Sequence, residues 1–177
     1  MKKSNTFKIA LGGICLALTI IFMFAGSIVP GIELTLFALS SFFTAVMILE
    51  TGIGGGVIFY LAAAILGFIV APDKLAIIPY IGLFGYYGIV KYFIEKARSG
   101  AMQIGLKILF FAAVLTCGVI GFKEVLMSAA DIPDISGTLL VLGGIVMMML
   151  YDYIYTLVIN FYLRRFKGKG IDEFKLS

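Results

Sequence analysis

Apolar residues run almost without interruption through six stretches of this chain, and the charged residues fall mainly in the gaps between them. A helix needs about 20 apolar residues to cross the ~30 Å hydrocarbon core of a bilayer. The runs are too long for membrane β-strands, and they lack the alternation of polar and apolar residues that such strands have. The pattern therefore predicts an all-α polytopic membrane protein, one bundle of six transmembrane helices, with spans at about 9–29, 34–50, 53–71, 75–94, 102–122 and 138–163.

Composition and charge agree with this class and give the chain an orientation. The sequence is 62% hydrophobic, against the roughly 45–50% of soluble domains, and no connection is long enough to form a separate soluble domain. If the N-terminus is cytoplasmic, 12 of the 14 Lys and Arg residues lie on the cytoplasmic side, and only Lys74 and Lys123 lie outside. The positive-inside rule therefore predicts that both termini are cytoplasmic and that residues 1–177 form a single domain in the cell membrane.

Several function classes are disfavoured by what the sequence lacks. The chain has no His, which removes the commonest metal and proton-relay chemistry. It has no Gly-rich phosphate loop of the Walker type, so it is not expected to bind ATP itself. No nucleophile–base pair stands out, and no basic domain exists that could bind nucleic acid. We therefore expect no enzymatic activity, no cofactor, no metal site and no nucleic-acid partner.

Small residues at four-residue spacing predict close helix contacts, because helices in lipid associate through van der Waals packing at small side chains. Gly13 and Ala17 share one face of the first span, and Ala10 lies one turn earlier. Such a stripe either packs within the protein or faces a partner membrane protein, and the first span is the best candidate for a partner. Similar stripes occur at residues 63, 67 and 71, at 113, 117 and 121, and at 52 and 56.

Asp152 is the charged residue that most needs an explanation. It falls near the middle of the sixth predicted span, among three tyrosines of the segment 151–155. A carboxylate at that depth costs roughly 2.5–3.5 kcal/mol on insertion scales, so such groups usually face a cavity or a partner. One interpretation is a ligand or proton site. The other is a buried carboxylate that fixes helix register, either protonated or bonded to Tyr or to Lys107.

Other charges lie near the ends of predicted spans, where long side chains can reach the membrane interface. We expect Lys91, Glu95, Lys107 and Lys123 to be such anchors, and Glu50 to pair with Lys91 or Lys107.

A second polar cluster is predicted at the outer side. The connection at 71–74 is so short that the third and fourth spans are expected to be antiparallel neighbours. Tyr80 with Asp73 and Lys74 could line a pocket that opens outward, although tyrosines at span ends more often form an interfacial belt.

Six helices in under 200 residues, two cytoplasmic termini and a basic N-terminus followed by a small-residue first helix form a pattern that resembles a known family. It is similar to the S components, the substrate-binding membrane subunits of energy-coupling factor (ECF) transporters. Members carry an Ala-x-x-x-Ala type groove on the first helix, which docks the coupling subunit. The corresponding residues here are Ala10, Gly13 and Ala17, with the four-residue spacing present as Gly13–Ala17.

The resemblance implies a small-molecule substrate such as a vitamin, bound near the outer face, and partners in the form of a coupling transmembrane subunit and ATPase subunits. The implied contacts near the outer face are Glu33, Asp73, Lys74, Tyr80 and Lys123, and Asp152 remains a further candidate. The family's nickel and cobalt binders use an N-terminal His, which is absent here. Membrane lipid is the remaining partner.

Two alternatives share this composition and topology. One is a non-catalytic scaffold of the rod-shape-determining class, which recruits cell-envelope machinery and needs no ligand pocket. The other is a stand-alone small carrier or channel that uses Asp152 as its ion site.

Overall fold

The computed structural model describes residues 5–29, 31–97, 99–130 and 137–167, and these residues are helical apart from short connections. No strand occurs within these ranges. The α-helices are α1 Asn5–Ile28, α2 Glu33–Thr51, α3 Ile53–Val70, α4 Gly85–Ile94, α5 Gly100–Ala130 and α6 Gly137–Tyr162. Two π-helical turns, Tyr80–Phe84 and Leu163–Lys167, lie directly before α4 and directly after α6.

The predicted all-α class is confirmed for the part of the chain that the structure describes. In the part of the chain that the structure describes, five helices are long and apolar enough to cross a membrane. They are α1, α2, α3, the Gly100–Gly118 part of α5, and Val141–Phe166, which includes most of α6. Most helix ends agree with the predicted span ends to within a few residues, because a chain in lipid must satisfy its backbone hydrogen bonds locally.

The fourth predicted span differs from the others. Helical structure there covers 78–94 rather than 75–94, and its first part is the π-turn Tyr80–Phe84. At 1.5 Å per residue these 17 residues rise about 25 Å, which is short for a ~30 Å core. A wider π-turn leaves backbone carbonyls without their usual α-helical donors. One of them, the carbonyl of Ile81, accepts a hydrogen bond of 2.9 Å from the Tyr60 hydroxyl on α3.

The described chain divides into two compact units. The first contains α1, α2, α3, the helical segment as far as Phe93, and the chain from Val158 onward. The second contains residues Ile94–Leu157, that is, the described parts of α5 and most of α6.

In the first unit, α1, α2 and α3 all pack against one another. Helix α2 is buried around much of its circumference, whereas α1 and α3 each bury a single stripe. Steps of three or four residues keep such a stripe on one helix face. The buried stripes are Cys15, Thr19, Met23 and Gly26 on α1, and Gly56, Phe59, Ala63 and Gly67 on α3.

Glycine is required at the two tight connections of this unit. Gly31 lies between α1 and α2 with φ of 88°, and Gly52 alone separates α2 from α3 with φ of 86°. A side chain is strained in this left-handed region, which glycine adopts without a steric penalty. The one-residue link at Gly52 makes α2 and α3 neighbours.

In the second unit, α5 and α6 approach each other closely at Gly144. A Cβ atom at this position would lie 2.9 Å from Cδ1 of Leu115. Glycine therefore allows the two helices to come together here, as small residues do at helix contacts in membranes.

Candidate functional site

Two of the predicted substrate contacts near the outer face shape the turns in which they lie. The Oε2 atom of Glu33 accepts a hydrogen bond of 2.9 Å from the backbone N–H of Gly31. The Oδ1 atom of Asp73 accepts one of 2.8 Å from the N–H of Leu75. The Asp73 bond is the arrangement of an Asx turn, in which the side chain accepts from the backbone N–H two residues later. The Glu33 side chain accepts from an N–H two residues earlier and so links the first turn of α2 to the connection before it. Each carboxylate still has oxygen lone pairs that can accept further donors.

Lys74 caps the end of α3. Its ammonium donates to three backbone carbonyls, those of Phe68 at 2.6 Å, Ile69 at 3.1 Å and Ala71 at 2.7 Å. The Nζ atom also lies 5.5 Å from the centroid of the Phe68 ring. A cation at a helix C-terminus satisfies orphan carbonyls and interacts favourably with the helix dipole. All three N–H donors of the ammonium have partners, so Lys74 has a structural role.

Tyr80 lies in the core of the first unit. It is fully buried, and its ring meets that of Phe37 edge-on, with 6.4 Å between centroids. The hydroxyls of Tyr80 and Thr44 are buried and lie near each other, and no other described residue gives either of them a hydrogen bond. No hydrogen bond or ion pair among the described residues joins any two of Glu33, Asp73, Lys74 and Tyr80. Lys123 belongs to α5, and its side chain lies outside the described part of the structure.

Asp152 forms a buried ion pair in the second unit. The Nζ atom of Lys107 lies 2.6 Å from Oδ2 of Asp152, and the two side chains are only 11% and 10% exposed. Glu95 lies 3.7 Å from the same ammonium and is more exposed, at 25%. Of the interpretations open for Asp152, the bond to Lys107 is therefore present. The pair ties α5 to α6 across 45 positions of sequence.

Two lysines that were expected to reach the interface are buried instead. Lys107 is 8% exposed and Lys91 is 2% exposed, so the prediction that they act as interfacial anchors is wrong. The hydropathy pattern could not reveal this burial. A lysine at a given distance from a span end can extend its side chain either to the membrane interface or into the protein interior. Glu50 is also buried, and it accepts a hydrogen bond of 2.9 Å from the hydroxyl of Tyr162. Its pairing with Lys91 stays a prediction.

The small-residue stripes differ sharply in their surroundings. On α3, Ala63 and Gly67 are buried, and a Cβ atom at Gly67 would lie 2.8 Å from Sδ of Met23 on α1. This stripe packs within the protein. On α1, by contrast, Gly13 is exposed and a Cβ atom there would have no atom within 4 Å. Ala10 and Ala17 are exposed as well.

Helix α1 therefore has one face packed on α2 and α3 and another face that is exposed among the described residues at Ala10, Gly13 and Ala17. Cys15, Thr19 and Met23 lie on the buried face. Gly13 and Ala17 lie on a different face, since each residue advances 100° around the helix axis. A groove of small side chains lets another helix backbone come close. The geometry thus leaves the predicted docking residues accessible.

Comparison of the chain with protein-family models, with curated proteins and with solved structures finds no match.

Proposed function

We propose that this chain is the substrate-binding membrane subunit of an uptake transporter of the ECF type, for a small molecule such as a vitamin or related micronutrient. In this proposal the helical segment 78–94 is a sixth membrane span. Both termini lie in the cytoplasm, and the substrate is bound from the external side of the cell membrane. A coupling transmembrane subunit docks on α1. Separate ATPase subunits supply the energy, because this chain has no Walker-type loop with which to bind ATP.

One observation carries the proposal, which is the exposed small-residue face of α1. An exposed stripe of Gly and Ala gives a lipid-facing helix no advantage, because large apolar side chains contact lipid equally well. It does give an advantage to helix association, in which small side chains allow close backbone approach. The stripe of Ala10, Gly13 and Ala17 is exposed, whereas Ala63 and Gly67 on α3 already have α1 as a neighbour.

The substrate side of the proposal concerns the outer connections. Glu33 and Asp73 each use only part of their capacity as hydrogen-bond acceptors in turn formation, so their remaining lone pairs can accept hydrogen bonds from N–H or O–H groups of a ligand. Lys74 can contact a ligand only by giving up one of its bonds to the α3 carbonyls. We therefore expect the two carboxylates to contribute more to substrate affinity than Lys74.

The docking claim is tested by adding bulk to the stripe. Gly13→Leu and Ala17→Leu are expected to abolish copurification of a coupling subunit while the protein stays helical and monodisperse. Ala113→Leu is the matched control, because Ala113 is also an exposed small residue, on α5. Retained assembly in both α1 variants would overturn the claim. Loss of assembly in Ala113→Leu alone would move the docking surface to α5.

A scaffold of the rod-shape-determining class is the second candidate. It is favoured by the local bonds of Glu33, Asp73 and Lys74, which stabilise turns and a helix end without requiring a ligand. Native mass spectrometry of the protein, purified in mild detergent from its own host, separates the two candidates. A bound small molecule or copurified ATPase subunits would support the transporter subunit. An empty protein accompanied by cell-wall synthesis proteins would favour the scaffold.

A further inference from the structure

A cavity of about 300 Å³ opens on the side of the first unit, between the beginning of α1, the end of α2 and the first half of α3. Lys8 and Thr51 are its polar lining residues, and Met47, Phe59 and Ala62 are among the apolar ones. The Thr51 hydroxyl donates to the carbonyl of Met47 at 2.6 Å. The wall of the cavity is therefore apolar, with a single cationic group. We call this cavity the α1–α3 groove.

The groove runs from the ends of α1 and α2 toward the middle of α3. Lys8 lies in the first turn of α1, and Thr51 is the last residue of α2. Ala62 lies nine residues beyond the start of α3 at Ile53, which corresponds to a depth of about 13 Å along the helix. The polar end of the groove is thus at the helix ends, and its apolar end is deeper. An amphiphile with a charged head and a hydrocarbon chain has the same polarity along its length.

Charge selects the kind of amphiphile. Among the described residues, Lys8 is the only charged one in the lining, and no ion pair of Lys8 occurs within the same part of the chain. The Lys and Arg distribution of the chain puts this end of α1 on the cytoplasmic side, and the cytoplasmic leaflet carries the anionic lipids. The Lys8 ammonium attracts a lipid phosphate. In a zwitterionic lipid the cation of the headgroup already neutralises the phosphate, so an anionic lipid gains more from this contact.

We propose that the α1–α3 groove binds an anionic phospholipid of the cytoplasmic leaflet. The phosphate lies beside Lys8, and one acyl chain follows Met47 and Phe59 toward Ala62. The proposal uses the orientation of the chain but needs no docked partner. Gly13 is a helical neighbour of the groove residues Ile9 and Leu16, so the two proposals are separated by their readouts: lipid quenching reports on the groove, and copurification of a coupling subunit reports on the docking face.

The absence of Trp from the chain allows a direct test with the full-length protein. Ile58 lines the groove and is 70% exposed, so Ile58→Trp introduces a single reporter without disturbing the core. Ile104→Trp is the control, since Ile104 is 52% exposed near the start of α5. Each protein is placed in phosphatidylcholine vesicles that contain a small fraction of brominated phosphatidylglycerol or of brominated phosphatidylcholine, and quenching is measured.

We expect brominated phosphatidylglycerol to quench the Ile58→Trp protein well beyond its bulk fraction, and the Ile104→Trp protein in proportion to that fraction. Adding Lys8→Gln is expected to lower the phosphatidylglycerol preference about fivefold, which is the contribution of one basic residue near an anionic surface. Adding Ala62→Phe fills the groove and is expected to remove the excess quenching. Leu61→Phe on the exposed side of α3 is expected to leave it unchanged.

Three results would overturn the proposal. The first is equal quenching by the two brominated lipids in the Ile58→Trp protein, and the second is an unchanged preference in Lys8→Gln. The third is displacement of the lipid by glycerol phosphate at millimolar concentration, which would assign the groove to a soluble anion. If the lipid preference is absent and Ala62→Phe instead removes a copurified protein, the groove belongs to a partner helix.

Discussion

The Lys107–Asp152 pair leads to the prediction with the largest expected effect. Asp152→Asn removes the carboxylate charge and leaves the Lys107 ammonium with Glu95, which is 3.7 Å away and partly exposed. Removing one member of a buried ion pair typically costs about 3–5 kcal/mol, because the other charge stays buried without compensation. Since Glu95 compensates part of that charge, we expect a loss near the lower end, about 3 kcal/mol in the free energy of unfolding.

The double variant Lys107→Met/Asp152→Leu should behave differently. Replacing both members of a buried pair by apolar residues of similar size is often neutral, because the desolvation cost disappears together with the attraction. We expect its free energy of unfolding to lie within about 1 kcal/mol of the wild type. Glu95→Gln is the matched control, since it removes a longer and more exposed contact to the same ammonium, and it should cost less than about 1 kcal/mol.

The free energy of unfolding is measured for the wild type, Asp152→Asn, the double variant and Glu95→Gln. Each protein is unfolded reversibly in mixed micelles with increasing sodium dodecyl sulfate, and far-UV circular dichroism is the signal. The coupling free energy follows from the double-mutant cycle once the single variants Lys107→Met and Asp152→Leu are included. The reasoning would be refuted if Asp152→Asn cost less than about 1 kcal/mol, or if the double variant lost as much stability as the two single variants together. Unchanged stability in Asp152→Asn would also show that the ion pair does not fix the register of α5 and α6.

Two further predictions concern packing and hydrogen bonding. Gly67→Leu should destabilise the protein by about 1–3 kcal/mol, the usual cost of overpacking, because a side chain there meets α1. Gly13→Leu should leave unfolding in the same micelle assay unchanged. Tyr162→Phe removes the hydroxyl that donates to Glu50 and should cost about 1 kcal/mol. Its control Tyr153→Phe, at a residue that is 63% exposed, should cost less than 0.5 kcal/mol, roughly the limit for surface changes. Equal losses in the two tyrosine variants would contradict a stabilising role of the bond from Tyr162 to Glu50.

The helices themselves were largely predictable, and one exception has an identifiable cause. The predicted spans 34–50 and 53–71 differ from α2 and α3 by one residue at their ends. Helix α5 continues to Ala130, eight residues beyond the predicted end at 122, because polar residues can extend a helix past the membrane without a hydropathy signal. The π-turn at Tyr80–Phe84 was not predictable, since its extra backbone carbonyl is satisfied by a side chain of another helix.

The candidate site was predictable in its residue types but not in its contacts. The sequence predicts that a carboxylate as deep as Asp152 has a partner, and Lys107 is one of the predicted partners. Lys107 is the partner because of the rotation of α5 and α6 about their axes, and no local pattern in the sequence encodes that rotation for two residues 45 positions apart. The bond from Tyr162 to Glu50 joins residues 112 positions apart, and no pattern along the chain indicates it.

Hydropathy alone predicted helices long and apolar enough to cross a membrane, and the described part of the chain contains five of them. A backbone in lipid has no water to bond and must form helices wherever the apolar run is long enough. Tertiary structure alone decided which faces of those helices are buried. Gly67 and Gly13 belong to similar small-residue stripes, yet the first packs against Met23, whereas no atom of the described residues lies within 4 Å of a Cβ atom built at the second. In lipid the apolar character of a face does not drive it inward, so shape complementarity between helices makes that choice.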